Sequence, residues 1–279
     1  MCWWSAARTG STGQSRDASI QALAQVGHPD YEVPLGPTIP AYYGLVASRY
    51  MHEYGVTQED LAEFAVLMRA HALTHPGAQF HEPITVADVM ASKPVAMPLK
   101  LLDCCPVSDG GAAFVVSRET HRRDRHSRAR LRAGAYPSAR HGGAALERTR
   151  RRDCDRARQK PRPASRSRMC ATLRSTTASP SRWRCCWKTS ALPSAARRPR
   201  GCGQGYFGRD GEMPLNTHGG LLSYGHCGVG GAMAHLVETH LQMTGRAGNR
   251  QVRDASIALL HGDGGVLSSH VSMFLERVR

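Results

Sequence analysis

Asn216-Thr-His-Gly-Gly220 precedes Ser223-Tyr-Gly-His-Cys-Gly228, and the second segment runs directly into a helix-like stretch. A histidine on a glycine turn at a helix N-terminus can approach a substrate closely. The helix dipole there favours anions and lowers the pKa of His226, so the imidazole stays neutral and able to take a proton. The same position lowers a thiol pKa, which singles out Cys227. Tyr224 offers a phenol, with packing as its alternative role. A helix-entry loop would need the same glycines for backbone geometry alone. His261-Gly-Asp-Gly-Gly265 reads as a tight turn whose N–H groups could form a nest for an oxyanion or a phosphate; a structural hairpin turn is its alternative. In Leu102-Asp-Cys-Cys-Pro-Val-Ser-Asp-Gly-Gly-Ala-Ala113, the small residues after Asp109 suit close packing before a strand.

The elements that must hold these segments follow from spacing. Thr38 caps a helix opened by Pro40 and ended by Gly55. Thr57-Gln-Glu-Asp60 starts the next, with Leu61, Phe64, Ala65, Met68 and Ala72 as its apolar face and Pro76-Gly77 as its stop. Thr85 to Ser92 is a short capped helix, Pro98 to Asp103 an approach loop and Ala112–Val116 a buried strand. After about Gly203, Ala232 to Met243 is helical, with Met233, Leu236, Val237 and Leu241 on one side and Gly245 at its end. Ser256–Leu260 and Val266–Leu275 are strands flanking the glycine turn. His52, His71 and His75 are read as surface residues.

The chain has 279 residues and a formal net charge of +15. The charge is local: Arg118 to Arg200 carries 23 Arg, 2 Lys and 5 acids, while the remainder holds 12 basic and 17 acidic residues. Those 83 residues contain no Val, Ile or Phe and only four Leu, too little apolar surface to offset chain entropy. The block is either a basic arm for phosphates or a stretch read out of frame in a GC-rich gene. One codon choice for Ser175–Ser190, read two bases later, yields YDSFTIAVALLLEDI, an apolar helix-like segment. The out-of-frame reading is preferred, which makes nucleic acid an unlikely partner and leaves the block without fixed structure. No run of about 18 apolar residues exists, so no membrane span is expected. The N-terminus lacks a basic-then-apolar leader, which points to the cytoplasm. Nine cysteines without a Cys-x-x-Cys pair argue against a metal site. Cys104 and Cys105 are read as packing residues.

Taken in order, the motifs resemble the thiolase superfamily, and within it the sterol-carrier/lipid-transfer-protein branch. Tyr50-Met-His-Glu-Tyr-Gly-Val-Thr-Gln-Glu-Asp-Leu61 is similar to that branch's loop domain, and Ala78-Gln-Phe80, Ile84-Thr-Val86 and Pro98 through Cys105 continue the match. Asp109-Gly-Gly-Ala-Ala113 resembles the family's Asp-Gly-Ala-Ala turn with one extra glycine. Asn216 to Gly228 is similar to the Asn-x-x-Gly-Gly…Gly-His-Pro element, with Cys227 in place of proline. His261-Gly-Asp-Gly-Gly265 sits where the family carries Cys-x-Gly.

The resemblance implies an α/β fold: an incomplete thiolase-like architecture with parts of the five-layered α-β-α-β-α core. It divides the chain into a leader at 1–17, an N-terminal-half remnant with loop-domain helices at 18–117, the disordered basic middle at 118–202 and a C-terminal-half remnant at 203–279. It implies acyl transfer on acyl-CoA or 3-ketoacyl-CoA in lipid or sterol metabolism, with the coenzyme A thioester as substrate and no metal. The expected catalytic set is His226, His261, Asn216, Tyr224 and Cys227, with Gly219, Gly220, Gly264 and Gly265 against the cofactor. The family's nucleophilic cysteine lies upstream of the loop domain, where this sequence has no such setting, and its His-Asp-Cys-Phe or Asn-Glu-Ala-Phe motif is absent from the printed frame. Little or no turnover is therefore expected. The alternatives are a lipid-transfer-type retro-aldolase working through tyrosine with a small partner protein, a nucleic-acid binder through 118–200, and a non-catalytic acyl-CoA carrier. Homo-oligomers are the family's habit.

Overall fold

The computed structural model describes residues 2–8, 27–116, 129–137, 168–173, 204–264 and 269–277, with a few single positions between 13 and 25. The first half is helical. Helix α1, Ile39–Tyr54, starts after Thr38 and ends on Gly55 in a left-handed conformation. Helix α2, Gln58–Ala72, opens on a capping box: Thr57 accepts from the Asp60 N–H, and the Asp60 carboxylate accepts from the Thr57 N–H. Helix α3, Val86–Ala91, repeats the device with Thr85 and Asp88. Each expected residue of the α2 face is buried. One side of α2 packs Leu61 against Tyr43, Ala47 and Tyr50 of α1 with Leu99. The other places Phe64, Leu67 and Met68 among Val89, Phe207, Met213, Leu215 and Leu222. Helix α2 ends four residues before Pro76, with Leu73 as its C-cap.

Short strands β2 (Pro94–Ala96) and β3 (Leu99–Lys100) pair beside α1. Strand β4, Gly110–Val116, pairs antiparallel along its length with β1, Cys2–Arg8. The leader therefore contributes a strand where the sequence reading assigned no element.

Two strands also come from the basic block: β5, Ala129–Pro137, and β6, Arg168–Leu173. The sequence reading assigned no element at these positions. In β5, Leu131, Ala133 and Ala135 alternate with Arg130, Arg132 and Gly134, a period of two that counting apolar residues over the whole block conceals. The rest of 118–202 lies outside the described residues. Two one-turn helices, α4 (Gln204–Phe207) and α5 (Gly220–Ser223), precede the long helix α6, Val229–Thr244. Strands β7 (Ala255–Gly264) and β8 (Ser269–Arg277) then complete a four-stranded sheet in the order β5-β8-β7-β6. The pairs β5/β8 and β7/β8 are antiparallel and β6/β7 is parallel. Helix α6 packs on both β4 and β7.

The tight turn expected at 261–265 is also corrected. His261, Gly262, Asp263 and Gly264 continue β7, opposite Ser272, Val271, His270 and Ser269 of β8. The ladder extends the apolar strand through the polar and glycine positions because strand pairing satisfies their backbone groups. Gly265 and the connection to β8 lie outside the described residues.

Candidate active site

Ser223 to Gly228 is clamped by two neighbouring segments. The Phe80 and Gln79 N–H groups donate to the Ser223 and Tyr224 carbonyls at 3.2 and 3.1 Å, and the Ser108 N–H donates to the His226 carbonyl at 3.0 Å. Val107 and His226 form a parallel bridge. Arg69 of α2 supports the clamp from below: its Nε donates to Ser223 Oγ, its Nη1 to the Glu82 carbonyl, and its guanidinium lies 4.3 Å from the Phe80 ring centre. Gly225 has φ +132°, and a Cβ built there would stand 3.0 Å from Ser108 Oγ, so the loop passes too close for a side chain. Gly110 is equally tight, with its built Cβ 3.0 Å from Cys227 Sγ. The DGG segment thus packs directly on the residue beside His226, consistent with the structural role read for it.

His226 is half-buried, and its Nδ1 accepts the Gly228 N–H at 2.9 Å. With Nδ1 an acceptor, the neutral ring carries its proton on Nε2. In that tautomer the ring donates through Nε2, and it takes up a proton only if the Nδ1 bond opens or the tautomer changes. Cys227 is buried. Tyr224 is half-buried and T-stacked between His75 at 4.9 Å and His218 at 5.4 Å. Burial pushes its phenol above the usual range, so it is protonated at neutral pH. Cys104 carries a thiol that burial pushes up to about 12, with Asp103 adding to the shift; it is no thiolate.

The Asn216 turn stands beside this loop. Asn216 is buried with φ 46°, a left-handed value that asparagine tolerates. Gly219 follows at φ 102°, with a built Cβ only 2.6 Å from Ala72 Cβ. Thr217 and His218 are buried. His218 has no hydrogen-bond partner on either ring nitrogen, and burial lowers its pKa to about 4 against the opposing pull of Glu238. His71, expected at the surface, is buried, because α2 turns it onto the backbone at Leu215 and Asn216.

Helix α6 corrects another expectation. Val237, placed on its inner side by sequence, is 44% exposed; the buried positions are His235, Glu238, Thr239, Gln242 and Met243. The inward face is polar because it meets polar partners. Glu238 Oε1 accepts from Thr217 Oγ1 at 2.7 Å and from Gln242 Nε2 at 3.0 Å, while Arg250 Nη2 pairs with Oε2 at 3.1 Å. Gln242 also donates to the Arg250 carbonyl and accepts the Val252 N–H. Burial opposes the Glu238 charge, yet His218, Arg250, Thr217 and Gln242 together hold its carboxyl below the ordinary range. The sequence reading missed Glu238, Gln242 and Arg250. The available signal was the i, i+4 pairs His235/Thr239 and Glu238/Gln242 on a helix otherwise read for its apolar residues.

The structure therefore brings Tyr224, His226 and Cys227 together on the loop that enters α6, and sets Asn216, Gly219 and Gly220 on a turn tied to the middle of α6 through Thr217. It places His261 and Gly264 on β7, which α6 also contacts. Among the described residues, no group of three or more His, Cys, Asp or Glu could hold a metal ion, and no helix is long and apolar enough to cross a membrane.

A glycine-rich loop feeding a helix beside a mixed sheet places the site in an α/β protein. Residues 200–277 match the family described as Thiolase C-terminal domain-like. The acetyl-CoA acetyltransferase of Methanothermobacter thermautotrophicus is 32% identical over 262 residues, covering 90% of this chain and 67% of that one. Sterol carrier protein 2 of Bos taurus is 26% identical over 84% of this chain and 45% of its own length. Among solved structures, the Ltp2-ChsH2(DUF35) aldolase aligns with a TM-score of 0.75 and 26% identity, covering 99% of this chain and 72% of that one. The chain belongs to the thiolase superfamily. It spans two thirds of the methanogen enzyme and under half of sterol carrier protein 2.

Proposed function

We propose that this chain binds acyl-CoA and 3-ketoacyl-CoA thioesters in the manner of a thiolase-type acyltransferase of lipid or sterol metabolism, acts in the cytoplasm, and, lacking the family's nucleophilic cysteine loop, turns them over little or not at all. The observation that carries the reading is the His226 loop, which is clamped by Gln79, Phe80 and Ser108 and holds an Nε2–H imidazole at the start of α6. A donor there can stabilise a thioester oxygen as negative charge develops on it. Asn216 and the glycines Gly219 and Gly220 hold the neighbouring turn, and His261 supplies a second imidazole from β7. Gly264 closes β7 as backbone for the thioester, and Gly265, which lies outside the described residues, is the second glycine of that motif. Cys227 is the thiol beside the imidazole.

A second reading is retro-aldol cleavage of an acyl-CoA. It needs no thiolate, and Tyr224, protonated and packed against His218, is a phenol that can hold or move a proton. The likeness to an aldolase solved with a DUF35 protein supports it and suggests a small partner protein beside a homo-oligomer. The full chain should be incubated with acetoacetyl-CoA plus free CoA, and separately with a 3-hydroxyacyl-CoA whose C3 is a tertiary alcohol. Consumption of CoA with formation of acetyl-CoA supports thiolysis. Release of a ketone and a short acyl-CoA without consumption of CoA supports the aldolase reading. Neither product, with no thioester binding, overturns both.

A further inference from the structure

Three segments with site residues attach to one helix at different heights. Gly225–Gly228 forms the N-terminal entry to α6, and Gly228 is its N-cap. Thr217, next to Asn216, bonds to Glu238 in the middle of the helix. Arg250 and Val252, just before β7 and its His261, bond to Glu238 and Gln242 near the C-terminal end. Thr217 Oγ1 also accepts from Gln242 Nε2 at 3.0 Å, so both segments meet on the same two side chains. Glu238 is 1% exposed and Thr217 2%, so water does not substitute for these bonds.

We propose that Glu238 is a positioning residue: through Thr217 and Arg250 it sets the Asn216–Gly220 turn and the base of β7 in register with the His226 loop. This rests on the reading of that loop as the thioester site. Glu238 touches none of the reacting groups; it acts through its partners. A hydrogen bond from Thr217 to a buried carboxylate is charge-assisted and hard to replace locally. Asparagine tolerates the left-handed φ of 46° at position 216, so the bond through Thr217 fixes where the turn stands rather than relieving strain.

Thr217→Val removes the hydroxyl without changing the side-chain shape, and Thr217→Ser keeps it. In the full chain, amide hydrogen exchange at Asn216–Gly220 should quicken about tenfold or more in the Val variant, as expected for losing a bond to a charged group, and return toward wild type in the Ser variant. Exchange in α1 should not change. Affinity for S-acetoacetyl-pantetheine should fall with Val and recover with Ser. Unchanged exchange at 216–220, or equal quickening in α1, overturns the positioning role. If the wild type does not bind the probe, the thioester reading fails, and the exchange data, repeated with Glu238→Gln, which keeps an acceptor for Thr217 but removes the charge, still decide whether the Glu238 carboxylate holds the turn.

Discussion

Glu238 and Arg250 form an ion pair at 3.1 Å with side chains 1% and 9% exposed. Such a pair is costly to break and cheap to replace as a unit. Arg250→Met should therefore destabilise the chain by about 3–5 kcal/mol, because it leaves the carboxylate buried without its counter-ion. Glu238→Gln combined with Arg250→Met removes both charges and keeps an oxygen for Thr217 and Gln242. It should lose clearly less than Arg250→Met alone. Urea denaturation of the three proteins at one pH measures the difference. Equal losses would mean that the charges are not what the site protects.

His218 gives the fold a pH dependence of predictable sign. Its folded pKa, about 4, lies below the ordinary value of 6.5. Above pH 6.5 it is neutral folded and unfolded, and it costs nothing. As pH falls from 6.5 the unfolded chain takes up the proton first, so stability is lost progressively until about pH 4, by about 3 kcal/mol in all. His71 of α2, buried against the same turn, is shifted down by burial as well. His218→Asn should flatten the fall in urea midpoint between pH 6.5 and 4.5 relative to wild type. A wild-type slope retained in full by the variant would assign the acid sensitivity elsewhere.

Two glycines with positive φ should respond very differently to alanine. Gly219 has φ +102° and meets Ala72 of α2, whereas Gly245 has φ +72° with nothing within 4 Å of a built Cβ. Gly245→Ala should cost about 1–2 kcal/mol, the price of a left-handed alanine. Gly219→Ala adds an overpacking cost of about 1–3 kcal/mol, because helix and turn must separate. Thermal melts of both variants test this, and equal losses would remove the close approach of α2 as the reason for Gly219.

Much of the first half was legible because its signals are local. Thr57 and Thr85 cap through their own neighbours, and the 3.6-residue spacing of Leu61, Phe64, Ala65, Met68 and Ala72 names the buried face of α2 directly. The glycine loop and His226 were legible as motifs. The inner face of α6 was not, because Glu238, Gln242 and Arg250 are buried only through one another, and hydropathy places charged residues outside. The end of β7 was misread for a related reason: His261-Gly-Asp-Gly264 has turn composition, and pairing with a partner strand overrode it. Strands β5 and β6 were hidden by an arginine count taken over the whole block rather than over a strand's length.

The central claim is that the His226 loop receives a coenzyme A thioester. Coenzyme A carries phosphates that 23 arginines of the basic block would attract regardless of any site. The direct measurement is therefore calorimetric titration of the full chain with S-acetoacetyl-pantetheine, which has the thioester and no phosphate. One saturable site per chain is predicted, weakened about tenfold or more by His226→Ala, as for loss of one donor in a desolvated site. No saturable binding, or equal affinity in His226→Ala, would contradict the account.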